Sequence, residues 1–159
     1  ANLSVTAGST FASRPITPPP HLAKVTLQST VTLGSSAAST IAWTMQEILT
    51  NSSMHSTTTD PARITPQSTG VYHAVAQVLL IAGGTPGLRS VEVVDSSGTE
   101  IARVFGVSNS SHQVVLQAVG MKRFDALGGY LTCQLQFQGL TTNSLSTGST
   151  ACFFSVMKL

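Results

Sequence analysis

Charge is what this sequence has least of. Only 9% of its 159 residues are Asp, Glu, Lys or Arg, against about a quarter in an average soluble domain. Eight basic and six acidic side chains leave a formal net charge of +2, and the basic ones are scattered apart from the pair Lys122 and Arg123. Neutralising a phosphate backbone needs clustered Lys and Arg, so no nucleic-acid partner is expected. Cysteine is nearly absent too. Cys133 and Cys152 are too few for a disulfide framework, and their apolar, strand-like surroundings favour buried free thiols over a cross-strand bridge. No apolar run approaches membrane-spanning length, and "ANLSVTAGST" has no basic stretch leading into an apolar one. The chain is therefore expected to be soluble and unsecreted, with no membrane partner.

Patterns that carry chemistry are missing as well. There is no G-x-S-x-G elbow, no Walker loop and no G-x-G-x-x-G opening a helix. "IAGGTPG" is glycine-rich, but Pro86 and the lack of a helical pattern after it make it a turn and not a phosphate cradle. His21, His55, His73 and His112 show no metal-ligand spacing and the cysteines no C-x-x-C, so no metal and no other cofactor is expected. His73, inside an apolar strand, reads as a hydrogen-bonded interface histidine before an ion ligand. The three Asp and three Glu form no close pair for general acid–base work; Glu92 and Glu100 flank a hairpin and should face water. No catalytic residue is expected, and the chain reads as a non-enzyme.

What is present is β structure. Hydrophobic residues make up 42% of the chain and Ser plus Thr roughly a quarter, enough apolar surface for one domain of ordinary size. Residues 1–20 are Ser/Thr/Pro-rich and end in "PPP", which stiffens the backbone into extended polyproline geometry. They read as an N-terminal arm outside a domain covering 21–159. In "KVTLQSTVTLG" residues Val25, Leu27, Val31 and Leu33 alternate with Thr-rich positions as in a strand. "TIAWTMQEIL" fits a short amphipathic helix or a strand, with Thr40, Ile41, Trp43 and Thr44 leaning to strand. Residues 50–70 read as a long polar loop, "DSSG" at 95–98 as a hairpin turn, and "GGYLTCQLQFQGL" and "STACFFSVMKL" as further strands. Eight to ten short strands with Gly/Ser turns are the pattern of a sandwich or jelly roll.

One strand is anomalous. In "STGVYHAVAQVLLIAGG", residues 68–84, both parities are apolar: Tyr72, Ala74, Ala76, Val78 and Leu80 on one, Val71, Val75, Leu79 and Ile81 on the other. A strand with one wet face alternates apolar with polar. The second apolar face points to a neighbouring subunit, and aromatics on the most apolar strands are the usual anchors of such contacts.

"STGVYHAVAQVLL", "GGYLTCQLQF" and the terminal "ACFFSVMKL" resemble the tyrosine-bearing strands and the closing aromatic strand of tumour necrosis factor-like and complement globular-head jelly rolls. The closer match is to the version found in virion proteins of tailed bacteriophages, in which a stretch similar to "IAWTMQEILTNSSMHSTTTDPARITPQSTGVYHAVAQV" runs from an alternating strand, through a polar "MH" loop and an "R-I/L-T" step, into the tyrosine-bearing strand. The resemblance spans about residues 22–159. It implies an all-β, two-sheet antiparallel jelly-roll sandwich that forms homotrimers around a threefold axis. The trimer interface is then expected at Tyr72, Ala74, Tyr130, Phe153 and Phe154. It further implies a capsid decoration (cement) protein on the outside of a phage head, made in the host cytoplasm. Its partners would be itself and the major capsid protein, the latter contacted by Phe11, Arg14 and Ile16 of the arm. The other virion role it allows is a receptor- or glycan-binding tip of a tail fibre, with loops such as 50–70 or 106–113 in contact with the glycan.

Overall fold

Past His21, β-branched and aromatic residues alternate with Ser, Thr and Gln, and the structure turns that alternation into strands. The computed structural model describes residues 21–34, 38–81, 86–108, 111–137, 142–148 and 150–159. The arm over 1–20, with Phe11, Arg14 and Ile16, lies outside the described residues. In chain order the strands are β1 (Leu22–Thr26), β2 (Val31–Gly34), β3 (Ser39–Thr40), β4 (Met45–Leu49), β5 (Arg63–Ile64) and β6 (Gly70–Leu80). They continue as β7 (Gly87–Asp95), β8 (Glu100–Ser108), β9 (Val114–Phe124), β10 (Leu131–Phe137), β11 (Thr142–Leu145) and β12 (Phe153–Lys158). A 3-10 turn at Ser52–Met54, capped by the Asn51 side chain accepting from Ser53 N, is the one helical element among the described residues.

These strands form two antiparallel sheets. Sheet one runs β2-β11-β6-β12-β1-β4, with β9 on the free side of β6; sheet two runs β3-β10-β7-β8, with β5 also on β10. The expected two-sheet jelly roll is thus the architecture adopted, with the two-residue strands β3 and β5 added to its main strands. Two local expectations need adjusting. "KVTLQSTVTLG" is two strands, β1 beside β12 and β4, and β2 beside β11. Residues 40–49 contain no helix, because their amides bond to other segments: Ile41 N to Cys133 O, Trp43 N to Pro61 O and Thr44 N to Thr26 O. The polar segment 50–70 is also more ordered by packing than its composition shows, since it buries Met54, His55 and Ile64.

The core fills the space between the sheets. Trp43 stacks on Phe154 at 6.1 Å between ring centroids, and Tyr72 meets Phe124 edge-on at 5.8 Å; all four are buried. Removing an aromatic ring from such a core costs about 3–5 kcal/mol. Cys133 and Cys152 are buried free thiols, and burial pushes both thiol pKa values up, so both stay protonated and unreactive. The hairpin β7–β8 turns at Gly98, whose φ of +81° suits glycine. There Asp95 N bonds Thr99 O and Gly98 N bonds Asp95 O.

Candidate functional site: an apolar sheet face and a polar groove

The anomalous strand β6 runs through the middle of sheet one, between β12 and β9. Tyr72, Ala74, Ala76, Val78 and Leu80 point inward, each no more than 1% exposed, while Val71, His73, Val75, Gln77 and Leu79 point outward and are half-buried. Register aligns the outward residues into rows across three strands. Met157, His73 and Met121 form one row, Ser155, Val75 and Val119 the next, and Phe153, Gln77 and Gln117 a third; Leu79 lies beside Val115. Val115, Val119 and Met121 are 57%, 51% and 64% exposed. The polar members of the three rows, His73, Ser155, Gln77 and Gln117, are partly self-satisfied, as where Gln117 donates to Gln77 at 3.2 Å. At the β1–β4 margin the Lys24–Glu47 ion pair (3.1 Å) lies next to Phe153, whose ring is 5.1 Å from Lys24 Nζ. An apolar centre with a charged margin is the anatomy of a protein interface.

This geometry reassigns most of the residues expected at a subunit contact. Tyr72, Ala74 and Phe154 have no exposed surface in the single chain, so they have none to cover with a neighbour. The Tyr72 hydroxyl is satisfied internally, donating to Ser68 O at 2.9 Å. Tyr130 precedes β10 and therefore belongs to the other sheet. Of the five, only Phe153 lies on the outward face of sheet one. The residues that sequence reasoning missed are Val115, Val119 and Met121, although "VVLQAVGM" does carry apolar residues on both parities.

Tyr130 instead lines a groove of ≈ 460 Å³ on the outward face of sheet two. Its floor is Thr132 and Gln134 of β10 with Val94 of β7; one wall is Thr40 and the segment 60–63, the other the turn 95–98. The Arg63 guanidinium lies 4.3 Å over the Tyr130 ring and pairs with Asp60 at 3.3 Å. Across the groove, the Asp95 carboxylate accepts from Lys122 Nζ at 2.8 Å, Ser97 Oγ at 2.6 Å, and the amides of Ser97 and Thr99 at 2.9 Å. Burial opposes its ionisation, but these donors outweigh burial and hold it well below the usual carboxylate range. Lys122 belongs to β9, so this ion pair also ties sheet one to the groove wall.

The wall at 60–63 has its own tether. His55 is 4% exposed; its Nε2 lies 3.1 Å from Pro61 O, and its Nδ1 faces the Gln46 side-chain amide at 3.3 Å. A carbonyl on one side and an amide donor on the other select the neutral tautomer protonated at Nε2. Glu92, expected to face water, is 5% exposed because Ser90 and Arg103 close over it, at 2.9 and 3.1 Å. Among the described residues no three His, Cys, Asp or Glu side chains converge as a metal site.

No protein-family model and no curated protein matches the sequence. Solved structures do match the fold. Murine APRIL superposes with a TM-score of 0.64 at 13% identity, over 87% of this chain and 98% of that one. The chain folds as a tumour necrosis factor-like jelly roll. Eiger TNF from S. frugiperda (TM-score 0.60, 14% identity, 89% of this chain and 93% of that one) shares the architecture. So does the globular domain of zebrafish complement 1qA protein (TM-score 0.61, 9% identity, 87% and 97%). At these identities the likeness establishes architecture.

Proposed function

We propose that this chain is a non-enzymatic structural protein that assembles as a homotrimer through the outward face of sheet one. We further propose that it serves as a decoration protein on the outside of a bacteriophage head. The observation that carries the assembly is the row structure of β12, β6 and β9, whose Val115, Val119 and Met121 stand more than half exposed beside Val75, Leu79 and Met157. Covering such a face contributes about 25 cal/mol per Å², before the ordering costs of association. Closed cyclic symmetry uses up the face in a finite assembly, whereas an open arrangement would leave it to aggregate.

The capsid role is supported by the resemblance of residues 41–78, which lead through a polar loop into the Tyr72-bearing strand, to virion jelly rolls, and by the composition of residues 1–20. The resemblance implies a contact of residues 1–20 with a major capsid protein through Phe11, Arg14 and Ile16. Three such contacts on one trimer strengthen one another through avidity. Sedimentation equilibrium of the full chain should return three times the monomer mass. Deleting residues 1–20 should leave the protein trimeric and abolish co-sedimentation with expanded capsids. A monomeric full chain overturns the assembly; undiminished capsid binding by the truncated protein overturns the role of the arm. Labelling found on the tail and not the shell of imaged virions would favour the fibre-tip reading instead.

A further inference from the structure

We infer that the groove on the outward face of sheet two binds a neutral saccharide. Its volume of ≈ 460 Å³ falls within the range of small-molecule sites, about 300–1,000 Å³. A second hollow of ≈ 200 Å³, lined by Ser52, Ser56 and Thr59 among others, shares Asp60 and Arg63 with it. The two together offer a run of hydroxyls on either side of one carboxylate–guanidinium pair.

The polar groups of the groove fall into two kinds. Asp95 is committed to four donors, and Thr132 donates to Val94 O, so this part of the frame is fixed. In contrast, no hydrogen bond within the described residues engages the side chains of Thr40, Ser96, Tyr130 or Gln134, all of which line the groove. The side chains of Asp60 and Arg63 are joined by a single contact and are 52% and 42% exposed, so each keeps further hydrogen-bonding capacity toward solvent. Hydroxyl, amide, carboxylate and guanidinium groups thus converge around a flat Arg63–Tyr130 stack.

Charge narrows the ligand. The Asp60 and Asp95 carboxylates are each neutralised by a basic partner, so these pairs offer no net charge to draw in either an anion or a cation. The floor of Thr132 and Gln134 does not suit an apolar ligand, since desolvating those groups without partners costs free energy. A neutral polyhydroxylated ring can satisfy the open donors and acceptors together while laying its C–H face against the stack. The groove lies on the sheet opposite the assembly face and draws all its residues from one chain. The inference therefore stands or falls independently of trimer formation and of location on a virion.

Labelled full-length protein on a printed array of neutral and acidic glycans is the first test. The strongest neutral binder is then titrated against ¹⁵N-labelled protein by NMR. Retention of neutral glycans is expected, with amide shifts confined to residues 40, 60–63, 94–98 and 130–134. Gln134→Ala and Arg63→Gln should each weaken binding about tenfold, the loss of a hydrogen bond or two, with circular dichroism and melting unchanged. Tyr130→Phe keeps the ring and removes only the hydroxyl, so it checks the site should either of those variants prove unstable. No neutral glycan retained, retention of acidic glycans only, shifts that map elsewhere, or folded variants that bind like the parent would each overturn the assignment.

Discussion

On β9 of sheet one, the residues pointing away from the core are Val115, Gln117, Val119, Met121 and, at the end of the strand, Arg123; on β10 of sheet two, they are Thr132, Gln134 and Gln136. Both strands obey the same period-two alternation, and both bury their other parity in the same core. The difference is what their outward side chains ask of the surroundings. Thr and Gln are satisfied by water or by a ligand that replaces it, so sheet two can stay open. Val and Met gain nothing from water, so sheet one gains from being covered. One sandwich thereby carries a largely apolar face and a polar face, on opposite sides.

The largest expected effect comes from making the first face resemble the second. Val119→Asp introduces a charge at a half-exposed position of the monomer, where the fold tolerates it. In a closed trimer the same charge is buried without a partner, at roughly 3 kcal/mol or more per subunit. The variant should sediment as a folded monomer, whereas Gln136→Asp on sheet two should sediment like the parent. The reverse pattern would place the contact on the wrong sheet here. Tyr72→Asp is a poorer probe, because Tyr72 is fully buried and a charge there unfolds the domain whether or not it assembles.

A smaller effect is expected at the link between the faces, where Lys122 of sheet one meets Asp95 of sheet two. Asp95→Asn removes charge-assisted hydrogen bonds and should cost roughly 1.5–3 kcal/mol in urea unfolding. The pH dependence has a definite sign. The folded-state pKa of Asp95 lies below its ordinary 3.8, so the unfolded chain takes up the proton first. The stabilisation is present above pH 3.8 and is lost as pH falls below it. The Asn variant should lose less stability than the parent over that acid range. Equal losses would mean that the Lys122 contact does not hold the carboxylate ionised.

Much of this is legible in the sequence. Alternation in "GGYLTCQLQF" specifies a strand, and the double apolar parity of 71–81 specifies that β6 is apolar on both faces. What alternation cannot specify is which apolar parity is inside. Tyr72 fits inward because its hydroxyl reaches Ser68 at the end of the sandwich, a partner visible only after folding. The sheet to which a strand belongs is equally hidden, so Tyr130 reads as an interface aromatic in the sequence and turns out to line the groove. The groove itself leaves no local pattern, since its residues come from positions 40, 60–63, 94–98 and 130–134. Glu92 likewise reads as solvated and is covered by Arg103 from the neighbouring strand.

The smallest expected effect separates the two faces by pH. His55 braces the groove wall through Pro61 O while its Nδ1 faces the Gln46 amide. Burial pulls its pKa below the ordinary 6.5, opposed by the weaker effect of the Pro61 hydrogen bond. Protonation at Nδ1 would set a second donor against Gln46. As pH falls below 6.5 the unfolded chain binds the proton first, so stability declines by at most about 1.4 kcal/mol per pH unit, the limit for one proton. His55→Gln keeps a side-chain amide toward Pro61 and cannot titrate. Its urea midpoint should be flatter than the parent's between pH 7 and 5, and amide exchange at 56–63 should no longer quicken on acidification. Sedimentation should respond to pH alike in both proteins, because His55 lies away from the face that carries Val119. A His55→Gln profile that still falls with the parent's slope would overturn His55 as the source.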